Sequence, residues 1–299
     1  MSGGQRIAFD SSGLDSTLRY LGDRTARNFS ELIDALGNKF AYRHYRWSNM
    51  DDRTTAEEFW RRALERIPDK VAASRGASSV RDYILTQNRE RWLPGVLEYL
   101  PRGHVFDSTV YLNLGYDNVA YGGDVALNLA HPPFQSDHRE AVYYLMHELA
   151  HAGYLGYHEM PGLASPRTWG ELADNVMFLT HLEGMGVLTP LRLRVEEGGL
   201  SDPDYVALGD SAETGRRVRA YFKELRRLED KPDKAVEEGD LEVYDRFSGS
   251  PQRLWYVAGC HMAQAIEAKQ GAVALRELVG RGSKAFFEVY RGIHDSVSG

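Results

Sequence analysis

The chain has very little cysteine and no long apolar run. Cys260 is the single cysteine among 299 residues, which excludes an internal disulfide and a metal site built from several thiolates. No stretch of 18 consecutive apolar residues occurs, so we expect no membrane-spanning segment. Residues 1–10 contain no apolar stretch long enough for a signal peptide. These absences predict a soluble, cytoplasmic protein.

An excess of positive charge is also absent. The 36 Lys and Arg residues face 43 Asp and Glu residues, which gives a formal charge of −7. We therefore expect neither nucleic acid nor anionic membranes as partners, because both attract basic surfaces. Apolar residues make up 42% of the chain and charged residues 26%, as in globular proteins rather than disordered ones. The chemistry of any site must come from His, carboxylate, Ser or Tyr side chains.

Residues 1–100 contain short helix-like segments separated by turn signals. Thr55 and Glu58 have the spacing of a capping box, which predicts a helix that begins at Thr55 and stops before Pro68. We therefore predict a helical N-terminal part over 1–100.

The pattern becomes extended near residue 104. Segments 105–114 and 125–130 are rich in Val, Tyr and Leu, and a Gly, Asp and Asn cluster separates them. Two strands joined by a loop are the natural interpretation, so we predict a small sheet over 104–130. From residue 137 to the end the pattern is helical, with helices at 168–188, 211–229 and 251–269.

These patterns together predict an α+β fold that is mainly helical. We divide the chain into the N-terminal part and a catalytic part over 101–299, in which the small sheet precedes the helices. The catalytic part contains the most unusual segment of the sequence.

That segment is the helix predicted over 141–157, which reads AVYYLMHELAHAGYLGY. Only His147, Glu148 and His151 are ionisable near neutral pH, and the other residues are apolar or aromatic on every side. A helix of this kind is buried on most sides. Because a buried, isolated carboxylate costs several kcal/mol, something must compensate these three groups together.

Their spacing indicates a metal ion. His147 and His151 lie four residues apart, so their imidazoles share one helix face and can converge on one ion. Glu148 lies about 100° around the helix from His147, beside the ion without ligating it. This His-Glu-x-x-His arrangement supplies two ligands and a general base in zinc hydrolases. Two core histidines satisfied by hydrogen bonds are the structural alternative.

A third ligand is required, and three residues are candidates. His158 is displaced by one position from the register of a third helical histidine. Glu171 follows His151 by twenty residues, but it also completes a capping box with Thr168. Glu183 is the third candidate and the one we favour.

Glu183 lies in the apolar segment 176–188, where His181 is the only other ionisable side chain. A carboxylate in such a helix, with no cation nearby in the sequence, again points to a metal. Gly184 and Gly186, which follow it, allow another helix or the metal to approach closely. Asp174 and His181 are either groups that orient the ligand histidines or ordinary polar positions.

These residues resemble a known family. His147-Glu148-Leu149-Ala150-His151, with Glu183-Gly184-Met185-Gly186, resembles the gluzincin pattern, in which the third ligand begins a Glu-Gly-x-Ala motif. Gly186 replaces the usual Ala, which exchanges one small residue for another. Segment 256–267, with Phe286, Phe287 and Tyr290, is similar to zinc-dependent peptidases of the same clan.

The resemblance covers about residues 105–290 and implies a zincin-like peptidase fold with one zinc ion per chain. Families of this kind have an antiparallel edge strand that binds an extended peptide. Segment 125–130 is placed either for that edge or as an ordinary core strand.

We therefore expect a zinc-dependent metallopeptidase that acts on a peptide or protein substrate. His147, His151 and Glu183 are the expected ligands, and Glu148 is the expected general base. The developing oxyanion needs a donor opposite the metal. Tyr256 and His261 are the candidates, although either side chain could simply be packed.

Two other functions remain open. A zinc amidase or esterase that acts on a small substrate needs the same ligands and base. A metal-stabilised binding protein needs only the ligands, and Glu148 argues against it because such a site has no need for a buried base.

Overall fold

A computed structural model describes residues 4–67 and 69–295, and these residues form two compact units. The first unit comprises the described residues up to Trp92 together with Val105–Ala152. The second comprises Leu93–His104 and the described residues from Gly153 onward. The fold class is α+β and mainly helical, as the sequence predicts.

The first unit contains a four-stranded sheet in the order β1-β2-β4-β3. Its strands are β1 (Arg6–Asp10), β2 (Asp107–Asn113), β3 (Val119–Tyr121) and β4 (Asp124–Asn128). The pairs β1–β2 and β2–β4 are parallel, and β3 pairs with β4 in the antiparallel direction. Strands β2 and β4 confirm the two strands predicted from the sequence.

The prediction that the sheet is confined to 104–130 is wrong, because the edge strand β1 lies outside that range. Strand β1 belongs to the range predicted as helical, and it pairs with β2 so that Phe9 lies opposite Val110. Only Ile7 of this five-residue strand is buried. Such a short strand, with one buried side chain, has too little hydrophobic alternation to be recognised from the sequence. Because β1 pairs with β2, the N-terminal residues and the sheet form one compact unit rather than separating at residue 100.

Segment 125–130 is not an edge strand. Strand β4 lies between β2 and β3, and Val125, Ala126 and Leu127 are fully buried. Three buried residues in a row are typical of an interior strand covered on both faces. The antiparallel edge is formed by β3, which lies within the predicted loop.

The helices of the first unit precede and follow the strands along the chain. Their bounds are α1 (Ser12–Gly22), α2 (Ala26–Asp34), α3 (Leu36–Asn49), α4 (Ala56–Glu65), α5 (Lys70–Thr86), α6 (Arg89–Glu98), α7 (Pro132–Ser136) and α8 (Arg139–Leu155), of which α6 and α8 continue into the second unit. The predicted capping box is confirmed, because the Thr55 hydroxyl accepts from the Glu58 amide and the Glu58 carboxylate accepts from the Thr55 amide. Pro68 lies outside the described residues.

The second unit is helical. Its bounds are α9 (Trp169–Glu197), α10 (Pro203–Gly209), α11 (Ser211–Glu229), a 3₁₀ helix (Glu238–Glu242), α12 (Val243–Ser248), α13 (Leu254–Gln270), α14 (Ala272–Arg281) and α15 (Ser283–Asp295). Helix α9 continues past the predicted end at residue 188, through Pro190, and stops where Gly198 adopts a left-handed conformation. No helix among the described residues is both long and apolar enough to cross a membrane.

Two glycines allow α9 and α13 to cross in close contact. A Cβ atom on Gly259 would lie 2.8 Å from the Gly184 Cα atom and would also overlap the carbonyl oxygen of Thr180. Backbone atoms cannot move aside as a flexible side chain can. The sequence-based expectation that Gly184 admits another helix is therefore confirmed.

We expect Gly259→Ala to destabilise the protein by about 1–3 kcal/mol, because the added methyl group forces the two helices apart. Urea unfolding measures this change. Gly209→Ala is the matched control, since a Cβ there meets no atom within 4 Å. Equal stabilities of the two variants would contradict the close crossing.

Candidate metal centre

Helix α8 presents two imidazoles and a carboxylate on neighbouring positions. His151 and Glu148 are buried, at 8% and 5% exposure, among apolar residues of the same helix. The ring centroids of His147 and His151 are 4.3 Å apart. The four-residue spacing thus brings the two rings together as predicted.

Glu148 lies beside these rings. Its Oε2 atom is 3.6 Å from Nδ1 of His151. This distance is longer than that of a normal hydrogen bond, so the two groups interact electrostatically. Glu148 therefore has the position expected of a group that acts next to a metal ligand.

Glu183 completes a group that could hold a metal ion. His147, His151 and Glu183 each offer one ligand atom, and the three atoms all lie within 4.8 Å of one another. Zinc bonds of about 2.0–2.1 Å in a tetrahedral arrangement separate ligand atoms by about 3.3 Å. Two imidazole nitrogens and a carboxylate oxygen are also a donor set that zinc uses.

The other two candidates for third ligand have structural contacts instead. Glu171 accepts from the backbone amide of Arg167 at 2.7 Å and pairs with the Arg167 guanidinium. The Glu171 amide donates to the Thr168 hydroxyl, so half of the predicted capping box is present, whereas the Glu171 carboxylate binds the amide of Arg167 rather than that of Thr168. His158 donates from Nε2 to the carbonyl of Val279. Among the described residues, neither side chain belongs to the possible metal group.

His181 and Asp174 also make contacts that explain their presence without a metal. The His181 ring is fully buried and stacks on Phe286 at 4.2 Å, and its Nδ1 atom is 3.1 Å from the Tyr154 hydroxyl. Burial lowers the pKa of His181 to about 3, so the ring is neutral at pH 7. Asp174 pairs with Lys284 at 2.9 Å on the surface. Packing and an ion pair account for both residues.

Of the two proposed oxyanion donors, Tyr256 is the one that Glu183 influences electrostatically. Burial raises the pKa of Tyr256, and so does the charge of Glu183. The Arg253 guanidinium lies 3.7 Å from the Tyr256 ring centroid. It also donates two hydrogen bonds, of 2.7 and 2.8 Å, to the buried carboxylate of Asp204. The Tyr256 ring is therefore held from one side by a fixed cation.

His261 points elsewhere. It follows Tyr256 by five residues, which is about 140° around helix α13. Its ring centroid lies 6.5 Å from that of Tyr290, a residue that stacks on Phe222. These contacts favour Tyr256 over His261 as the donor, although both roles stay predictions.

The sequence analysis missed a group of polar residues near Glu148. His44 on α3 shares a 2.8 Å hydrogen bond with the Tyr116 hydroxyl. Burial lowers the pKa of His44 to about 4, against the opposing effect of Glu148. Asp117 is exposed by surface area, but the protein around its carboxylate, together with Glu148, raises its pKa. No motif or spacing links a helix residue to a loop more than seventy positions later, so only the structure reveals this group.

We expect Glu183→Gln to lower the zinc content of the purified protein and its stability together, because metal binding contributes folding free energy. Metal analysis and thermal unfolding measure both effects. Glu171→Gln is the matched control on the same helix, and it should keep the metal while it weakens the helix cap. Loss of zinc only in the control would identify Glu171 as the ligand.

His44 should make stability depend on pH. Its folded pKa of about 4 lies below the unfolded value of about 6.5. Between these values the unfolded chain binds a proton that the folded protein does not, so acidification favours unfolding. We expect the free energy of unfolding to fall by up to about 1 kcal/mol per pH unit more in the wild type than in His44→Gln. Parallel pH profiles from urea titrations would contradict this.

No family model matches the sequence, and no match is found among curated proteins or solved structures. The resemblance to the gluzincins therefore depends on the motif residues themselves. The function has to be inferred from the chemistry of the group formed by His147, His151, Glu183 and the neighbouring Glu148.

Proposed function

We propose that the protein is a zinc-dependent hydrolase that cleaves peptide bonds. The observation that carries the proposal is the convergence of His147, His151 and Glu183 ligand atoms within 4.8 Å, with the buried carboxylate of Glu148 beside them. A gluzincin-type active site and a zincin-like fold are part of the proposal, and the motif residues support them.

His147, His151 and Glu183 would hold the ion. Zinc at such a site polarises the scissile carbonyl and makes a water molecule more acidic. The protein supplies the dry surroundings, because helix α8 is buried on both sides of the ligand pair. A low local dielectric strengthens the electrostatic interactions on which the reaction depends.

Glu148 moves the proton. Its carboxylate accepts a proton from the attacking water and then delivers it to the nitrogen of the leaving amine. One water is consumed, the C–N bond breaks, and a carboxylate and an amine result. The 3.6 Å contact with His151 keeps the carboxylate at the site without making it one of the three ligands.

Tyr256 would donate a hydrogen bond to the developing oxyanion. The phenol is protonated at neutral pH, as a donor must be, and its raised pKa moves ionisation further from neutrality. Arg253, fixed by Asp204, restricts the ring to one orientation. His261 is the second candidate for this task.

The sheet supports a peptide as substrate. Strand β3 is an antiparallel edge strand of the sheet. An extended peptide can add to such an edge through main-chain hydrogen bonds. The resemblance to gluzincins implies this mode of binding, now with β3 rather than segment 125–130 as the edge.

Two other functions use the same residues. A small amide or ester substrate would leave the edge strand unused, so a comparison of peptides with small amides distinguishes that function. A metal-stabilised binding protein would gain nothing from a buried Glu148 that does not ligate, since burial of a carboxylate is costly.

We expect Glu148→Gln to fold and to keep its zinc but to lose hydrolysis by at least the 10²–10⁴-fold that is typical of removing a general base. The substitution retains the size of the side chain and removes its basicity. Cleavage of an unfolded protein such as reduced casein, followed together with zinc content, measures the effect.

Glu159→Gln, an exposed carboxylate just beyond helix α8, is the control and should cleave like the wild type. Zinc-loaded wild type that cleaves neither peptides nor small amides would favour the binding protein. Undiminished cleavage by Glu148→Gln would overturn the assignment of the base.

A further inference from the structure

A cavity of about 410 Å³ opens in the first unit beside the sheet. Gly115 to Asp117, which follow strand β2, line one part of it. Asn128 and Ala130, at the end of strand β4, line another. Ligands of parallel sheets commonly bind outside the carboxyl ends of the strands, and the volume lies within the range of small-ligand pockets.

Two arginines project into this cavity from the same helix. Arg62 lies in the last turn of α4, Arg66 is the residue that follows the end of this helix, and both line the cavity. Within residues 4–67 and 69–295, neither guanidinium has an ion-pair or hydrogen-bond partner. Their neighbour Arg61, outside the cavity, pairs with Glu57 and lies over the Phe29 ring. Arg62 acts electrostatically on Glu58, and Arg66 acts on Asp117, but the N–H groups of both guanidiniums are available to hydrogen-bond an anion.

The remaining lining indicates what kind of anion fits. Phe59, Tyr45 and Tyr116 provide aromatic walls against which an aliphatic stem can pack. Asp117 adds one carboxylate to the lining, so the cavity carries two positive charges against one negative charge. This excess of one positive charge favours a negatively charged ligand.

The cavity is electrically linked to the candidate active site. The charges of His131 and Glu148 both influence the pKa of Asp117, His131 lowering it and Glu148 raising it. The His131 ring contacts Tyr144 at 5.1 Å, and Tyr144 stacks near His147. Tyr116, on the cavity wall, bonds to His44, which also senses Glu148. The cavity and Glu148 thus lie close enough within the first unit to influence each other electrostatically.

We propose that Arg62 and Arg66 form a specificity pocket that binds one carboxylate of the peptide substrate. This inference rests on the proposed function and adds a substrate class to it. The carboxylate belongs either to an acidic side chain or to the C-terminus of the peptide. A planar guanidinium matches a carboxylate with two parallel hydrogen bonds, which gives both strength and orientation.

The test uses zinc-loaded Glu148→Gln protein, which we expect to bind peptides without cleaving them. Three acetylated decapeptides of Ala and Gly serve as probes. The first has a central Glu and a C-terminal amide, the second a central Gln and an amide, and the third a central Gln and a free carboxylate. Isothermal titration measures the affinity of each.

We expect the first or the third peptide to bind at least about tenfold more tightly than the second, the range for a hydrogen-bonded charge. The one that gains affinity identifies the source of the carboxylate. Arg62→Gln combined with Arg66→Gln should abolish the preference, each single substitution should weaken it, and Arg61→Gln should leave it unchanged.

Equal affinities, no binding of any probe, or a preference that survives both substitutions would overturn the inference. Tighter binding of a phosphoserine peptide than of the Glu peptide would overturn the choice of carboxylate. Wild-type cleavage of casein, measured in parallel, separates the two proposals. Cleavage without a carboxylate preference would support the proposed hydrolase and contradict the proposed pocket. Carboxylate binding without cleavage would support the pocket and contradict the hydrolase.

Discussion

The buried carboxylate of Glu148, between two histidines on an apolar helix, is the constraint that explains most of this site. Burial of such a group is costly unless neighbouring charges or a metal compensate it. Helix α8 meets this demand with imidazoles at adjacent turns, 4.3 Å apart. A metal held by these rings and by Glu183 would stabilise the carboxylate electrostatically, so stability and chemistry would depend on the same ion.

In the second unit, the positions of Glu183 and Tyr256 depend on the close approach of two helices. Gly184 and Gly259 have no side chains at the crossing of α9 and α13, so the helix that carries Glu183 lies directly against the helix that carries Tyr256. The close crossing explains why the charge of Glu183 influences Tyr256. Asp204 and Arg253 then restrict the tyrosine ring from another side. Small residues at the crossing thus determine where the polar groups lie.

The N-terminal residues contribute to the sheet and to the proposed pocket, which a separate helical segment would not do. Strand β1 completes the sheet, and helices α3 and α4 bring His44, Arg62 and Arg66 to the same unit as helix α8. The proposed carboxylate pocket depends on this arrangement, since its walls come from α4 and from loops that follow β2 and β4. Substrate selection and bond cleavage would then be supplied by different parts of the chain.

The local patterns of the sequence determined the mainly helical class, strands β2 and β4, the Thr55 cap and the His147–Glu148–His151 constellation. Each of these depends on residues only a few positions apart, where hydrophobic spacing and hydrogen-bonding groups act directly. Glu183 could be favoured because an uncompensated carboxylate stands out in an apolar helix. Strand β1, the interior position of β4, and the group of His44, Tyr116 and Asp117 were decided by the tertiary structure. Their partners are distant in sequence, and no local pattern records which distant backbone or side chain will cover a short strand or a single polar residue.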